Sequence, residues 1–180
     1  DPEPCTPFGA SRKGITLGEG AGYLVLERWD DAVARGATIL AELSGYGASC
    51  DAHHPTAPIE DGRGAEAAMR GALREGGIVN VDYVNAHGTG TLLNDSAETN
   101  AIRKSFFGHT LGASGAVEAV VTVLALQHQL APPTLRLDQT AADCTLDYIP
   151  HTPRPLSMTN VLSNTFGFGG SNISLLFRRA

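Results

Sequence analysis

Apolar positions along this chain follow two spacings, short runs that suit strands and three-to-four spacings that suit helices. Residues 21–27, Ala-Gly-Tyr-Leu-Val-Leu-Glu, form a short apolar run and predict a strand. Residues 29–35 predict a short helix that ends at Gly36. Residues 39–46 predict a second strand, with Leu40, Leu43 and Tyr46 as its apolar contributors, and a polar loop follows over 49–61. Between 62 and 76, Ala65, Ala68, Met69, Ala72 and Leu73 share one helical face, with Gly76-Gly77 as the stop. Residues 81–86 predict the next strand, and Asp95 and Glu98 place acidic groups at the opening of another helix. Residues 112–130 are nearly all apolar. A helix apolar on every side is expected to be buried on every side. After a proline-containing connection over 131–147, residues 160–164 and 173–177 predict two strands joined by a sharp hairpin turn at 166–172. Strands followed by helices make this an α/β chain, and no internal repeat is visible.

Composition narrows the possibilities. The 180 residues are 42% hydrophobic, and the mean hydropathy is −0.06. That suffices for one domain with a real core. A net charge of −6 argues against a nucleic-acid partner. The sequence has no run of eighteen apolar residues, so no membrane span is expected. The first eight residues lack the basic and apolar regions of a signal peptide. Residues 1–14, with Pro2, Pro4 and Pro7, read as a connection arriving from something upstream. Cys5, Cys50 and Cys144 are odd in number and widely spaced, which suggests a reducing compartment, the cytoplasm, rather than a disulfide framework.

Three segments carry chemistry. Asn-Ala-His-Gly-Thr-Gly-Thr at 85–91 places His87 just past a strand. Gly88 there lets the backbone turn, and the Thr89 and Thr91 hydroxyls can bond a ligand. Open α/β sheets bind ligands at such a place. The alternative for His87 is a structural turn histidine. Lys-Ser-Phe-Phe-Gly-His at 104–109 sets His109 before the apolar helix, near amides that lack intrahelical partners, with Lys104 as a nearby fixed charge. Glu118 is a carboxylate inside the apolar helix, and burial would require a partner, for which Lys104 is the obvious candidate. A plain surface pair is the weaker alternative. Phe166-Gly-Phe-Gly-Gly alone would be a tight turn with two core phenylalanines. The three cysteines lie in no activating context and read as inert. His53 and His54 read as solvated, and no metal site is expected. His128 and His151 have no motif around them.

The three segments in this order resemble the β-ketoacyl-acyl-carrier-protein synthases, of the elongating type with one cysteine and two histidines. Residues 14–22, Gly-Ile-Thr-Leu-Gly-Glu-Gly-Ala-Gly, resemble the strand that opens that family's second half. The resemblance runs over essentially the whole chain and covers the family's C-terminal half. It implies a thiolase-like fold, this chain being the C-terminal half of a five-layered α-β-α-β-α body, with residues 15–180 as the C-terminal ketosynthase domain. It also implies decarboxylative Claisen condensation of malonyl-carrier protein with an acyl-cysteine, in fatty-acid or polyketide synthesis. By match, His87 and His109 would hydrogen-bond the malonyl thioester oxygen. Lys104 would set the local field and pair with Glu118. Phe166 would gate the nucleophile and lend its N–H to an oxyanion hole, and Thr89 and Thr91 would contact the phosphopantetheine arm. No cofactor would be bound, the arm being delivered on acyl carrier protein. The implied partners are that carrier protein, an N-terminal half carrying the cysteine, and a second ketosynthase subunit in a homodimer or heterodimer, with no nucleic acid and no membrane.

The sequence departs from that pattern in three ways. The nucleophilic cysteine and its half are absent from these residues. The family has a helix end, a connection and a core strand before the lysine motif, whereas here residues 98–103 run straight into Lys104, so roughly fifteen residues are expected to be omitted near 103/104. Gly9, Lys13 and Ile15 stand where the family usually has acidic, acidic and aromatic residues. Two other readings compete: a non-catalytic partner like a chain-length factor, and a fragment with no activity of its own. Retention of His87, Lys104 and His109 favours an active lineage.

Overall fold

The protein was studied as a computed structural model, which describes residues 5–16, 18–105 and 115–180, the side chains of Lys104 and Ser105 excepted. Helix α1 spans Trp29–Ala34, followed by strand β1 (Glu42–Cys50), helix α2 (Arg63–Glu75), strand β2 (Tyr83–Asn85), and helices α3 (Leu92–Ser105) and α4 (Gly115–His128). Short strands β3 (Leu130–Ala131) and β4 (Arg154–Pro155) pair with each other. Strands β5 (Asn160–Gly167) and β6 (Ser171–Arg178) form the hairpin, closed by a 3₁₀ turn at Phe168–Gly170.

Four strands make one sheet in the order β1-β6-β5-β2. Both β1 and β5 run antiparallel to β6, and β2 runs parallel to β5. Successive side chains of a strand point to opposite faces, and the register turns that rule into two cores. Tyr83, Val161 and Phe177 stand side by side on one face, packed against α4 through Ala119, Val123 and Leu126. One residue further, Val84, Leu162 and Leu176 line the other face against Met69, Ala72 and Leu73 of α2 and Ala101 and Ile102 of α3. A sheet with helices on both faces is the α/β layering the sequence predicts.

The predicted strand at 39–46 begins and ends later, at Glu42 and Cys50. Gly45 and Gly47 look like strand breakers, but helix α2 lies directly over them. A β-carbon at Gly47 would strike the Ala68 carbonyl, and one at Gly45 the Ala72 carbonyl. Absent side chains are what allow α2 to approach, so the strand continues through both positions to pair Cys50 with Ser171.

The predicted strand at 21–27 is not formed. These residues pair with no strand among those described, and Tyr23, Val25 and Leu26 are 90%, 95% and 69% exposed. The expectation of all-round burial for α4 also fails in part. Ala119, Thr122, Val123, Ala125 and Leu126 are buried, but Val117, Val120 and Val121 are half-buried and Leu124 is exposed. Residues 5–12 are less of a free connection than expected. Phe8 is fully buried, stacked on Tyr148 at 4.6 Å, and joins Leu137, Ala141 and Cys144 in a third core. Among the described residues no helix is long and apolar enough to cross a membrane.

Candidate functional site

The parallel pair β2 and β5 ends at the same edge of the sheet, and α3 and α4 point their N-termini there. That edge is where parallel sheets present ligand sites. The last residue of β2, Asn85, donates its side-chain amide to the Glu118 carbonyl at 3.0 Å. Two residues on, the His87 ring meets Phe166 of β5 edge-on, with centroids 5.6 Å apart. Its Nδ1 faces the Glu118 carboxylate at 3.6 Å. The other Glu118 oxygen accepts the Thr165 hydroxyl. The register explains the convergence: Thr165 points to the α4 face of β5, and Phe166, the next residue, to the other.

The loop that carries His87 is held by carboxylates from below. Glu98 of α3 is fully buried and accepts the backbone N–H groups of His87 and Gly88, each at 2.8 Å. One turn earlier, Asp95 accepts Gly90 N–H at 3.1 Å and Phe8 N–H at 2.7 Å. Acidic residues in this part of the sequence predict only a favourable interaction with the helix dipole. Their actual work is to hold the histidine loop and tie it to residues 5–12. Sequence reading missed both as site residues; the signal was their i, i+3 spacing, which puts both on one face of the helix. Gly90 packs where a β-carbon would meet Cys5 Sγ at 2.6 Å, with φ +75. Thr89 and Thr91 lie together, hydroxyl to hydroxyl at 2.9 Å. Thr91 also caps α3 by accepting Asn94 N–H at 3.2 Å.

Burial and charge set the proton affinities. Desolvation pushes the Glu98 carboxyl up to about 7, against the pull of His87 and two backbone N–H groups. Burial alone would lower His87, but the Glu118 carboxylate, with Glu98 and Asp95, outweighs it and raises the imidazole above its ordinary value. A raised imidazole keeps both nitrogens protonated further into the neutral range, so His87 can face Glu118 with one N–H and donate the other to an oxygen that gains negative charge. Asn85 Oδ1, His87 Nδ1 and Glu118 Oε1 are buried without a hydrogen-bond partner among the described residues.

The structure therefore brings together His87, Glu118 and Phe166, and sets Thr89 and Thr91 against each other further along the same loop. His109 lies outside the described residues, as does the side chain of Lys104, so the expected pairing of Lys104 with Glu118 falls there too. Within the described residues Glu118 is engaged by Thr165 and His87. All three cysteines are free thiols. Cys5 donates to the Thr89 carbonyl at 3.4 Å and burial raises its thiol. Burial pushes Cys144 up to about 11. His53, His54, His128 and His151 are exposed.

These elements set a histidine loop, held by buried carboxylates, at the C-terminal edge of a mixed sheet with helices on both faces. The sequence profile described as β-ketoacyl synthase, C-terminal domain, matches residues 40–107 and 103–138, and the chain belongs to that family. The chain is 45% identical to 3-oxoacyl-[acyl-carrier-protein] synthase 2 of Synechocystis sp. over 190 residues, covering 96% of this chain and 46% of the relative. A solved structure of the ishigamide ketosynthase/chain length factor superposes with a TM-score of 0.93 at 38% identity, covering all of this chain and 48% of the other. A type II polyketide ketosynthase bound to a hexaketide, in complex with its acyl-carrier protein, superposes at 0.92 with 32% identity, covering 98% of this chain and 47% of the other. The chain thus spans about half the length of the relatives it matches.

Proposed function

We propose that this chain is the C-terminal part of a β-ketoacyl-acyl-carrier-protein synthase, an acyltransferase that condenses malonyl-carrier protein with an acyl-cysteine. The observation that supports this most directly is His87, set between Glu118 and Phe166 on a loop fixed by Glu98. In the reaction the malonyl C–CO₂ bond breaks and carbon dioxide leaves. The electron pair moves onto the thioester as an enolate, whose carbon then bonds the acyl carbonyl and expels the cysteine thiolate. His87 donates to the enolate oxygen, with His109 as the second donor. Lys104 supplies fixed charge beside them. Phe166 gates the nucleophile and its N–H serves the oxyanion hole. Thr89 and Thr91 receive the phosphopantetheine arm that the carrier protein delivers, and no cofactor is resident.

The nucleophilic cysteine belongs to an N-terminal half in this reading, since burial raises the thiols of Cys5 and Cys144 and Cys50 lies exposed at the end of β1. The isolated fragment would polarise a thioester without carrying an acyl group. We also read residues as omitted near 103/104. The two profile matches meet at 103–107, and the alignment with the Synechocystis enzyme runs over 190 residues while covering 96% of this 180-residue chain. The protein works in the cytoplasm as a homodimer or with a ketosynthase partner. A chain-length-factor-like role is the second reading, favoured by the likeness to the ishigamide ketosynthase/chain length factor.

Carbon dioxide release from malonyl-carrier protein by the full-length protein tests the first reading. The wild type is expected to release it and form a 3-oxoacyl product. His87→Ala is expected to lower release by roughly 100-fold or more while cysteine acylation stays measurable. A wild-type protein that binds carrier protein yet neither acylates nor decarboxylates would favour the second reading.

A further inference from the structure

Strand β5 sends Phe166 to the His87 ring and Thr165, one residue earlier, to the other face of the sheet and the first turn of α4. Thr165 reaches that turn because Gly115 opens the helix without a side chain. A β-carbon at Gly115 would lie 2.8 Å from the Thr165 hydroxyl oxygen and 3.4 Å from its methyl. Three residues on, and on the same side of the helix, is Glu118. The Thr165 hydroxyl donates to Glu118 Oε2. The other carboxylate oxygen, Oε1, faces His87 Nδ1 at 3.6 Å. Strand, helix and histidine loop thus meet in one row, hydroxyl to carboxylate to imidazole.

Glu118 is a carboxylate buried in an apolar helix, 2% exposed, and a charge placed there needs donors. Among the described residues the Thr165 hydroxyl is the one donor within hydrogen-bonding reach of that carboxylate. Asn85 and Thr122, also close by, donate to the Glu118 backbone carbonyl instead. A donor to an ionised oxygen stabilises the charged form and fixes the plane of the group. Both effects bear on His87. Its ring packs on Phe166, faces Glu118 of α4, and stands in the field of Glu98 and Asp95 of α3. Glu98 and Asp95 are engaged by backbone N–H groups of the loop, so Glu118 is the carboxylate aimed at the ring itself. The side chain of Lys104 and all of His109 lie outside the described residues.

We propose that Thr165 is a positioning residue for the condensation: its hydroxyl holds the Glu118 carboxylate charged and turned toward His87, and so keeps the second ring proton on Nδ1. This rests on the function proposed above, which gives His87 its task, while the link from Thr165 to His87 is geometric. Thr165 touches no reacting atom. Its effect reaches the enolate only through the strength of the His87 donor, so it falls on kcat rather than KM. Without the hydroxyl the charge facing Nδ1 is less favoured, the ring gives up its second proton at lower pH, and a neutral imidazole donates more weakly.

The test follows His87 in the full-length protein by NMR with ring-labelled histidine, its signal assigned by its loss in His87→Gln, beside the pH profile of carbon dioxide release from malonyl-carrier protein. Thr165→Val is expected to lower the proton affinity of His87 by about tenfold, on the scale of one hydrogen bond to a charged group. The alkaline fall in carbon dioxide release is expected to move to lower pH with it, and kcat to drop by about tenfold with KM held within about twofold. Thr165→Ser keeps the donor and is expected to match the wild type in both readouts. Thr165→Ala removes the donor by a smaller cut and stands in if the valine variant does not fold. A His87 titration unchanged in the variants that lack the hydroxyl overturns the inference, and so does a serine variant that behaves like them. If the wild type releases no carbon dioxide, the functional reading fails on its own account, and the His87 titration still decides the role of Thr165.

Discussion

The segment at 21–27 is the more apolar in sequence, yet it is the hairpin of β5 and β6 that is sheet. In the hairpin, Leu162 stands between Val84 and Leu176 on neighbouring strands, and helices cover both faces. In the segment, Val25 and Leu26 face solvent with no strand beside them among the described residues. Strand preference measures fit to a pleated, half-buried surface with neighbours more than any property of the backbone alone. An apolar run therefore forecasts a demand for pairing, and the fold decides whether the demand is met.

The largest way to sharpen that contrast is to remove a methyl-rich side chain from the paired region. Leu176 is fully buried between α2 and Leu162. Leu176→Ala is expected to lower unfolding free energy by about 4 kcal/mol, through lost transfer energy plus an unfilled cavity. A urea titration followed by circular dichroism would show it as a lower midpoint. A loss under about 1 kcal/mol would mean the two-sided core does not hold the sheet together.

Protons probe the same contrast with a somewhat smaller effect. Glu98 is buried beneath the histidine loop, whereas Glu27, at the end of the unpaired segment, is met by Arg35 in an exposed ion pair. Burial raises Glu98 from 4.5 to about 7 in the folded protein. Between those values the folded state holds a proton that the unfolded state has released. Stability then falls as pH rises through that window, by up to about 3 kcal/mol, and levels off above it. His87, also raised, acts in the same sense: its contribution is complete below 6.5 and is lost as pH rises through its folded value. Urea midpoints at pH 4.5 and pH 8 measure the fall. Glu98→Gln is expected to flatten most of it, and an unchanged slope would remove Glu98 as its source.

Much of this was legible in the sequence. The α2 face from Ala65 to Leu73, the hairpin around 166–172 and the positions of His87 and Phe166 at strand ends follow from spacing and turn residues alone. The burial of Glu118 was readable because a carboxylate in an apolar helix must be compensated. Other features depend on contacts far apart in sequence. Gly45 and Gly47 read as interruptions until α2 is known to lie across them. Asp95 and Glu98 read as helix-dipole residues until the loop at 87–90 folds back onto them. Phe8 looked like part of a connection because its partner, Tyr148, is 140 positions away.

The smallest expected effect is the most direct test of the comparison. Val25 is almost wholly exposed in this chain, so Val25→Ala removes no packed methyl groups and leaves no cavity. Its cost is expected to stay within about 0.5 kcal/mol, as for other surface substitutions. The same substitution in a longer protein that carries a second half would cost about 1 kcal/mol or more if strands from that half pair with residues 21–27 and bury the side chain. Urea titrations of Val25→Ala in both lengths compare the two directly. A small cost in the short chain and a larger one in the long chain would show that the apolar run is a strand whose neighbours lie outside these 180 residues. Equal small costs would leave the segment an exposed strap and break the argument that its sequence demands pairing.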